Sequence, residues 1–168
     1  YEYAGQGWRI SRSAGGETTD YYFTADGQMV QQSNEAGDAT VQYLPSLGYA
    51  DSPILRWRDA DANPVTGIGG LEETVYYTTD ANHNVTALLN GSGGVIERLA
   101  YDAYGRTTVL NGEATIDPDV NGITVFEWDP DADNQSDVAN EITYASYWLD
   151  PATGLFHTDA RDYHATLG

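Results

Sequence analysis

The sequence predicts an all-β fold of stacked antiparallel hairpins that run on as a spiralling β-ribbon, and three observations point to it. The 168 residues hold 13 Tyr and 18 Gly against three Phe and one Met, a balance that favours twisted strands joined by tight turns over packed helices. Tyr1, Tyr22 and Tyr43 stand at equal intervals, and Gly7, Gly27 and Gly48 follow them at nearly the same spacing. Within each interval the chain reads as aromatic strand, Gly-containing turn, strand, and no such unit can bury its own face without a stacked neighbour.

Taken in order, residues 1–13 alternate Tyr1/Tyr3 and then Trp8/Ile10 about a Gly-rich turn, the signature of a hairpin. Residues 15–32 repeat it, with Asp26-Gly27 as the turn dipeptide and Met29 and Gln31 alternating with Val30 and Gln32. Residues 38–59 are a looser copy, in which Pro45 and Pro53 belong at edges or bends. Residues 59–70 read as a loop. The pattern resumes over 71–90, turns at Gly91 to Gly94 and continues through 95–112. The predicted organisation is therefore a hairpin array over 1–112, an acidic insertion over 113–141 and a closing strand-turn-strand unit over 142–168.

Composition narrows the chemistry. No cysteine is present, which removes disulfides, thiolate metal sites and cysteine nucleophiles. All seven basic residues are Arg against 26 Asp and Glu, a formal net charge of -19. A surface of that sign repels a phosphate backbone, so nucleic acid is not expected as a partner. The chain opens on Tyr1-Glu2-Tyr3, and no stretch of it reads as a signal or membrane-spanning segment.

The stretch Leu99 to Arg106, with Tyr101, Asp102, Gly105 and Arg106, resembles the repeat of bacterial RHS or YD-repeat proteins, aromatic-x-aromatic-Asp-x-x-Gly-Arg, with Leu99 in place of the first aromatic. Looser copies run from Tyr1 through Tyr3 to Gly7 and from Tyr21 through Tyr22 and Asp26 to Gly27. Asp150 to Leu155, with Gly154, and then Tyr163 to Gly168 are similar to the core signature of that family. Phe156, His157, Asp159 and His164 depart from it, since tyrosines and arginines are usual there. The resemblance covers essentially the whole chain, as a fragment of the repeat-associated core region. It implies a bacterial shell of β-hairpins that encloses a C-terminal toxin or effector, in a secreted or cell-surface protein. It places the family's autoproteolytic site beyond Gly168, so no enzymatic activity is expected of this segment.

Read as residues, the repeat positions serve structure. Leu99 and Tyr101 share one face, and the tyrosine rings pack on the next hairpin while their hydroxyls find backbone or water. Asp102 can accept turn N–H groups, Gly105 can take positive φ, and Arg106 is expected to reach carboxylates of adjoining turns.

Candidate sites lie elsewhere. Asp129, Asp131, Asp133 and Asp137 occupy positions 1, 3, 5 and 9 of a calcium-loop pattern, with Asn134 where the pattern places Gly and Glu141 one residue beyond its last ligand. Ca2+ is the cation such a loop would suit; a solvated acidic insertion explains the same letters, and no cofactor is required. Asp59, Asp61 and Asn63, with Glu72 and Glu73, form a second acidic group that turn chemistry also explains. His157 and His164 are an odd number of residues apart, which puts them on opposite faces of a strand. No Gly-x-Ser-x-Gly elbow is present. The function predicted is a scaffold segment of a toxin-enclosing shell whose partners are neighbouring repeats and the cargo. The alternative is an extracellular filament or adhesive module, in which identical copies join head to tail through exposed strand edges.

Overall fold

The computed structural model describes residues 1–49, 52–61, 70–118, 124–158 and 161–167. Most of the loop over 59–70, with Asn63, and also Asp119, Asp159 and Gly168 lie outside the described residues. Ten strands form one antiparallel sheet in strict chain order: β1 (Glu2–Tyr3), β2 (Arg9–Ala14), β3 (Glu17–Phe23), β4 (Met29–Asn34), β5 (Ala39–Pro45), β6 (Pro53–Arg58), β7 (Glu73–Thr79), β8 (Val85–Asn90), β9 (Val95–Tyr101) and β10 (Thr107–Asn111). A separate hairpin follows, β11 (Thr115–Pro118) with β12 (Thr124–Glu127). A three-stranded sheet of β13 (Trp148–Asp150), β14 (Leu155–Thr158) and β15 (Arg161–Tyr163) comes last. Among the described residues the only helical turn is a 3₁₀ turn over Tyr144–Ser146.

One five-residue joint makes most of the hairpins. It occurs at Ala4–Trp8, Thr24–Gln28, Asn34–Asp38, Asp80–Asn84, Asn90–Gly94 and Asp102–Arg106. In each, the N–H of the first residue donates to the carbonyl of the fifth, and the N–H of the fourth returns to the carbonyl of the first. The fourth residue is left-handed every time, from Gly7 at φ 92° to His83 at φ 63°. This is a three-residue loop in which a type I turn is closed by a left-handed residue. Where the first side chain carries an oxygen, it accepts the N–H of the fifth residue: Thr24 Oγ1 at 3.1 Å, Asn34 Oδ1 at 2.9 Å, Asp80 Oδ1 at 2.9 Å, Asn90 Oδ1 at 2.9 Å and Asp102 Oδ1 at 3.0 Å. The β2–β3 turn differs, with Gly15 and Gly16 at φ 65° and 89°, the two-residue turn that matches strand twist.

The joint corrects the phase of one repeat copy. Tyr22 stands on the outward face, 48% exposed, whereas Tyr21 is buried. Asp26 occupies the third position of its joint, and Thr24 supplies the capping oxygen in its place. Tyr21, Phe23 and Thr24 thus correspond to Leu99, Tyr101 and Asp102. Pro45 and Pro53 face each other where β5 ends and β6 begins, so both mark a bend within the sheet.

The chain after β12 runs back across one face of the large sheet. Val138 and Ile142 join Val41, Tyr43, Val75, Val85, Leu88 and Leu99 in a single core. The stretch read as an acidic insertion therefore adds Val138 to that core. It also covers the free edge of β10: Asn111 N–H donates to Asp129 O at 2.9 Å and Asp131 N–H to Val109 O at 2.9 Å. Asn134, left-handed at φ 56°, completes the cover. Its Oδ1 accepts Val109 N–H at 2.9 Å and its Nδ2 donates to Thr107 O at 3.3 Å, so one side-chain amide stands where a paired strand would place a peptide group.

Candidate functional site

The most heavily bonded constellation gathers on Asp150, the first residue of the signature turn, at the end of β13. Within the turn its carbonyl accepts Gly154 N–H at 2.8 Å and Thr153 N–H at 3.2 Å, and its Oδ1 accepts Ala152 N–H at 3.0 Å. Gly154 takes φ 69°, and Leu155 pairs back with Asp150 across the β13–β14 ladder. The same carboxylate reaches the other end of the chain. Tyr1 hydroxyl donates to Oδ2 at 2.7 Å, Arg9 lies 3.2 Å from Oδ2, and Arg12 lies 3.6 Å from Oδ1. Arg9 also stacks over the Tyr1 ring at 4.6 Å, a contact that a desolvated guanidinium favours. Burial alone would raise the pKa of Asp150; the Tyr1 hydroxyl, the Ala152 N–H and the charges of Arg12 and Arg9 outweigh it and hold the carboxyl below its ordinary range. Its side chain is only 1% exposed.

Three further charged groups line the sheet face beneath this segment. Glu141 holds Arg12 at 3.6 Å and Gln32 Nε2 at 3.1 Å; burial raises its pKa against the opposing pull of Gln32, Arg12 and Arg56. Arg56, 1% exposed, donates to the carbonyls of Val138 and Ala139. Glu97, 3% exposed, accepts Ser136 Oγ at 2.8 Å, and burial pushes its pKa up to about 7. Ser136 Oγ in turn accepts Asn140 N–H at 2.9 Å, and Asn140 Oδ1 accepts the Tyr77 hydroxyl at 3.0 Å. The segment over 134–150 is thus pinned to β4, β6, β7 and β9 through polar contacts that are buried or part-buried. Sequence reading did not single out these residues. The available signal was an ionisable residue at an inward position of an apolar strand, as Glu97 is, two residues from Leu99 and on its face.

Among the described residues, no three of the four aspartates of the calcium-loop pattern come together, although the side chains of Asp131 and Asp133 meet. Asp131 Oδ1 accepts Asp133 N–H at 3.1 Å and Asp133 Oδ1 accepts Gln135 N–H at 2.9 Å, while Asp129 acts through its backbone on β10. Among the described residues, the acidic group whose ligand atoms all lie within 4.8 Å of one another is Asp59, Asp61 and Glu72. There Glu72 Oε1 accepts the N–H groups of Ala60 at 2.6 Å and Asp61 at 3.1 Å. His157 pairs with Asp162 at 3.0 Å, and His164 Nδ1 accepts Thr166 N–H at 3.1 Å; the two imidazoles border different cavities. Tyr101 hydroxyl donates to Val85 O at 2.6 Å, and Tyr3 lies with its ring 6.0 Å from that of His157. Arg106 is exposed and has no ion pair among the described residues. The carboxylate of its own joint, Asp102, is taken up by the N–H groups of Tyr104 and Arg106.

No family model matches the chain. It is 24% identical, over its full 168 residues, to the tRNA3(Ser)-specific nuclease WapA of Bacillus spizizenii, and 23% identical over the same span to the tRNA nuclease WapA of Bacillus subtilis. It spans 6% of the length of each. Among solved structures it is similar to TcdB2-TccC3, at 16% identity and a TM-score of 0.43, covering 98% of this chain and 8% of that one. The TcdB2-TccC3-TEV structure follows at 15% identity and 0.42, with the same coverage. The expectation of a segment without enzymatic function is corrected by the first two relatives, both of which are named as tRNA nucleases. That activity is not legible in a stretch that makes up so small a share of those proteins. The resemblance to RHS or YD-repeat proteins holds along this chain, an all-β array of hairpins whose repeat motif is the turn at Asp102–Arg106 and whose core signature is the turn at Asp150–Leu155.

Proposed function

We propose that this chain is a wall segment of a bacterial RHS-type toxin protein, secreted or carried at the cell surface, and that the whole protein is a nuclease toxin. The observation that supports this reading best is the Asp150 clasp. It ties the start of a ten-stranded meander to the signature turn, so a single returning segment bridges the sheet face from β2 to β10. A wall built this way resists opening at its seams, which suits a scaffold that must hold a nuclease until delivery. Strand-edge polymerisation is less favoured, because residues 129–134 already occupy the β10 edge.

The test uses the full-length protein. Asp150→Asn keeps the shape of the side chain and removes the charge that Arg9 and Arg12 share. Loss of one partner from a buried pair costs about 3–5 kcal/mol, and about 1.4 kcal/mol already corresponds to a tenfold change in the open population that a protease samples. Cleavage within and beyond this segment should therefore accelerate at least tenfold, with degradation of tRNA by the released part as a second readout. Unchanged cleavage rates in the variant would overturn the wall reading, and absence of tRNA degradation by the full-length protein would overturn the nuclease reading.

A further inference from the structure

Arg106 and His164 both line a cavity of about 630 Å³ that lies between the β9–β10 joint, the loop capping β10 and the signature hairpin. The Tyr163 hydroxyl donates to Tyr104 O at 2.8 Å and fixes the stretch carrying His164 beside the joint carrying Arg106. Leu99, Val109, Leu149 and Phe156 supply apolar wall. The volume falls within the range of small-molecule sites, whose pattern is an apolar lining with a few convergent polar groups.

Among the polar groups that line it are donors with no acceptor of their own within the described residues. Arg106 is exposed and free of ion pairs among the described residues. His164 accepts Thr166 N–H on Nδ1, which leaves Nε2 to carry the ring N–H. Thr143, also on the wall, is 2% exposed and its hydroxyl has no partner among the described residues. The acidic residue on the wall, Glu141, turns its carboxylate to Arg12 and Gln32. In a chain with a net charge of -19, a cavity lined by an uncommitted guanidinium and an imidazole N–H is a place where an anion is welcome.

We propose that this cavity binds a small apolar carboxylic acid, its apolar body against Leu99, Val109 and Phe156 and its carboxylate on Arg106 and His164. Arg106 offers the bidentate fork for that group. This goes beyond the scaffold reading and does not depend on it, since it concerns the 168-residue chain alone.

The probe is 8-anilinonaphthalene-1-sulfonate, an apolar anion, titrated into the full chain and followed by fluorescence, with decanoate as competitor. One saturable site that decanoate empties is expected. Arg106→Gln should weaken binding at least fivefold. Ala165→Trp, which places a bulky ring at the cavity rim, should abolish it while strand circular dichroism is unchanged. Non-saturable binding, equal affinity in Arg106→Gln and Ala165→Trp, or displacement by the peptide N-acetyl-Leu-Leu-Glu-amide but not by decanoate would each overturn the proposal.

Discussion

Replacing Glu97 by Gln should make the protein more stable at pH 8 while leaving it nearly unchanged at pH 5. The Glu97 carboxyl is buried on the inner face of β9, and burial raises its pKa from 4.5 to about 7 against the hydrogen bond from Ser136, the Asp137 N–H and the charge of Arg56. A carboxyl whose pKa is higher in the folded state favours folding most when protonated. Its contribution is complete below the unfolded pKa and is lost as pH rises through about 7. The gap of about 2.5 units corresponds to about 3 kcal/mol. Gln keeps an oxygen for Ser136 Oγ and carries no charge to desolvate, so it should hold that contribution at every pH. Urea unfolding of both proteins at pH 5 and pH 8 measures the difference between them. Self-repulsion of the acidic surface enters nearly equally in each protein and cancels. The advantage of Glu97→Gln should grow by about 2.5 kcal/mol between the two pH values, because pH 5 already lies a little above the unfolded pKa, or by about 5–10 °C in Tm for a chain of this size. A difference that stays constant within about 1 kcal/mol, or that grows toward low pH, would refute the assignment of a desolvated, protonatable Glu97.

Two further outcomes follow from the joints and the edge. Gly105 is left-handed at φ 82° and a Cβ there would run into the Tyr144 ring, whereas Gly37, at φ 88°, faces open space. Urea midpoints should therefore show Gly105→Ala losing about 2–5 kcal/mol, from backbone strain plus overpacking, and Gly37→Ala only about 1–2 kcal/mol; equal losses would contradict the packing described. Asn134→Ala removes the side-chain amide that occupies Val109 N–H and Thr107 O, so the first half of β10 regains an open edge while Asp129 and Asp131 still cover the rest. Analytical ultracentrifugation should then detect concentration-dependent association beyond that of the parent chain, and sedimentation indistinguishable from the parent at equal concentration would show that the amide does not guard the edge.

The joint was legible in the sequence because it is local. Asp102, Gly105 and the residues they bond lie within five positions, and turn chemistry depends on little else. Phase was harder. Tyr21 and Tyr22 are adjacent aromatics, and the ladder shifts register at Tyr22/Phe23, so alternation alone cannot say which of the pair faces inward. The clasp was out of reach altogether, because Tyr1 and Arg9 find Asp150 from 149 and 141 residues away. The inward face of β2 tells that a partner is needed but not which carboxylate provides it. The same holds for Arg56, whose partners are backbone carbonyls and so leave no trace in residue type.

The distance across the clasp also sets a schedule. Joints close within five residues and can form as the chain emerges, but Arg9 waits for Asp150, 141 residues later, on the order of ten seconds at ordinary rates of synthesis. Through that interval the growing sheet presents Arg56, Glu97 and its apolar face without the segment that covers them. Residues made after the sheet therefore decide whether the earlier strands are kept, and a stall or truncation before Asp150 leaves a ribbon fit for misassembly instead of a wall.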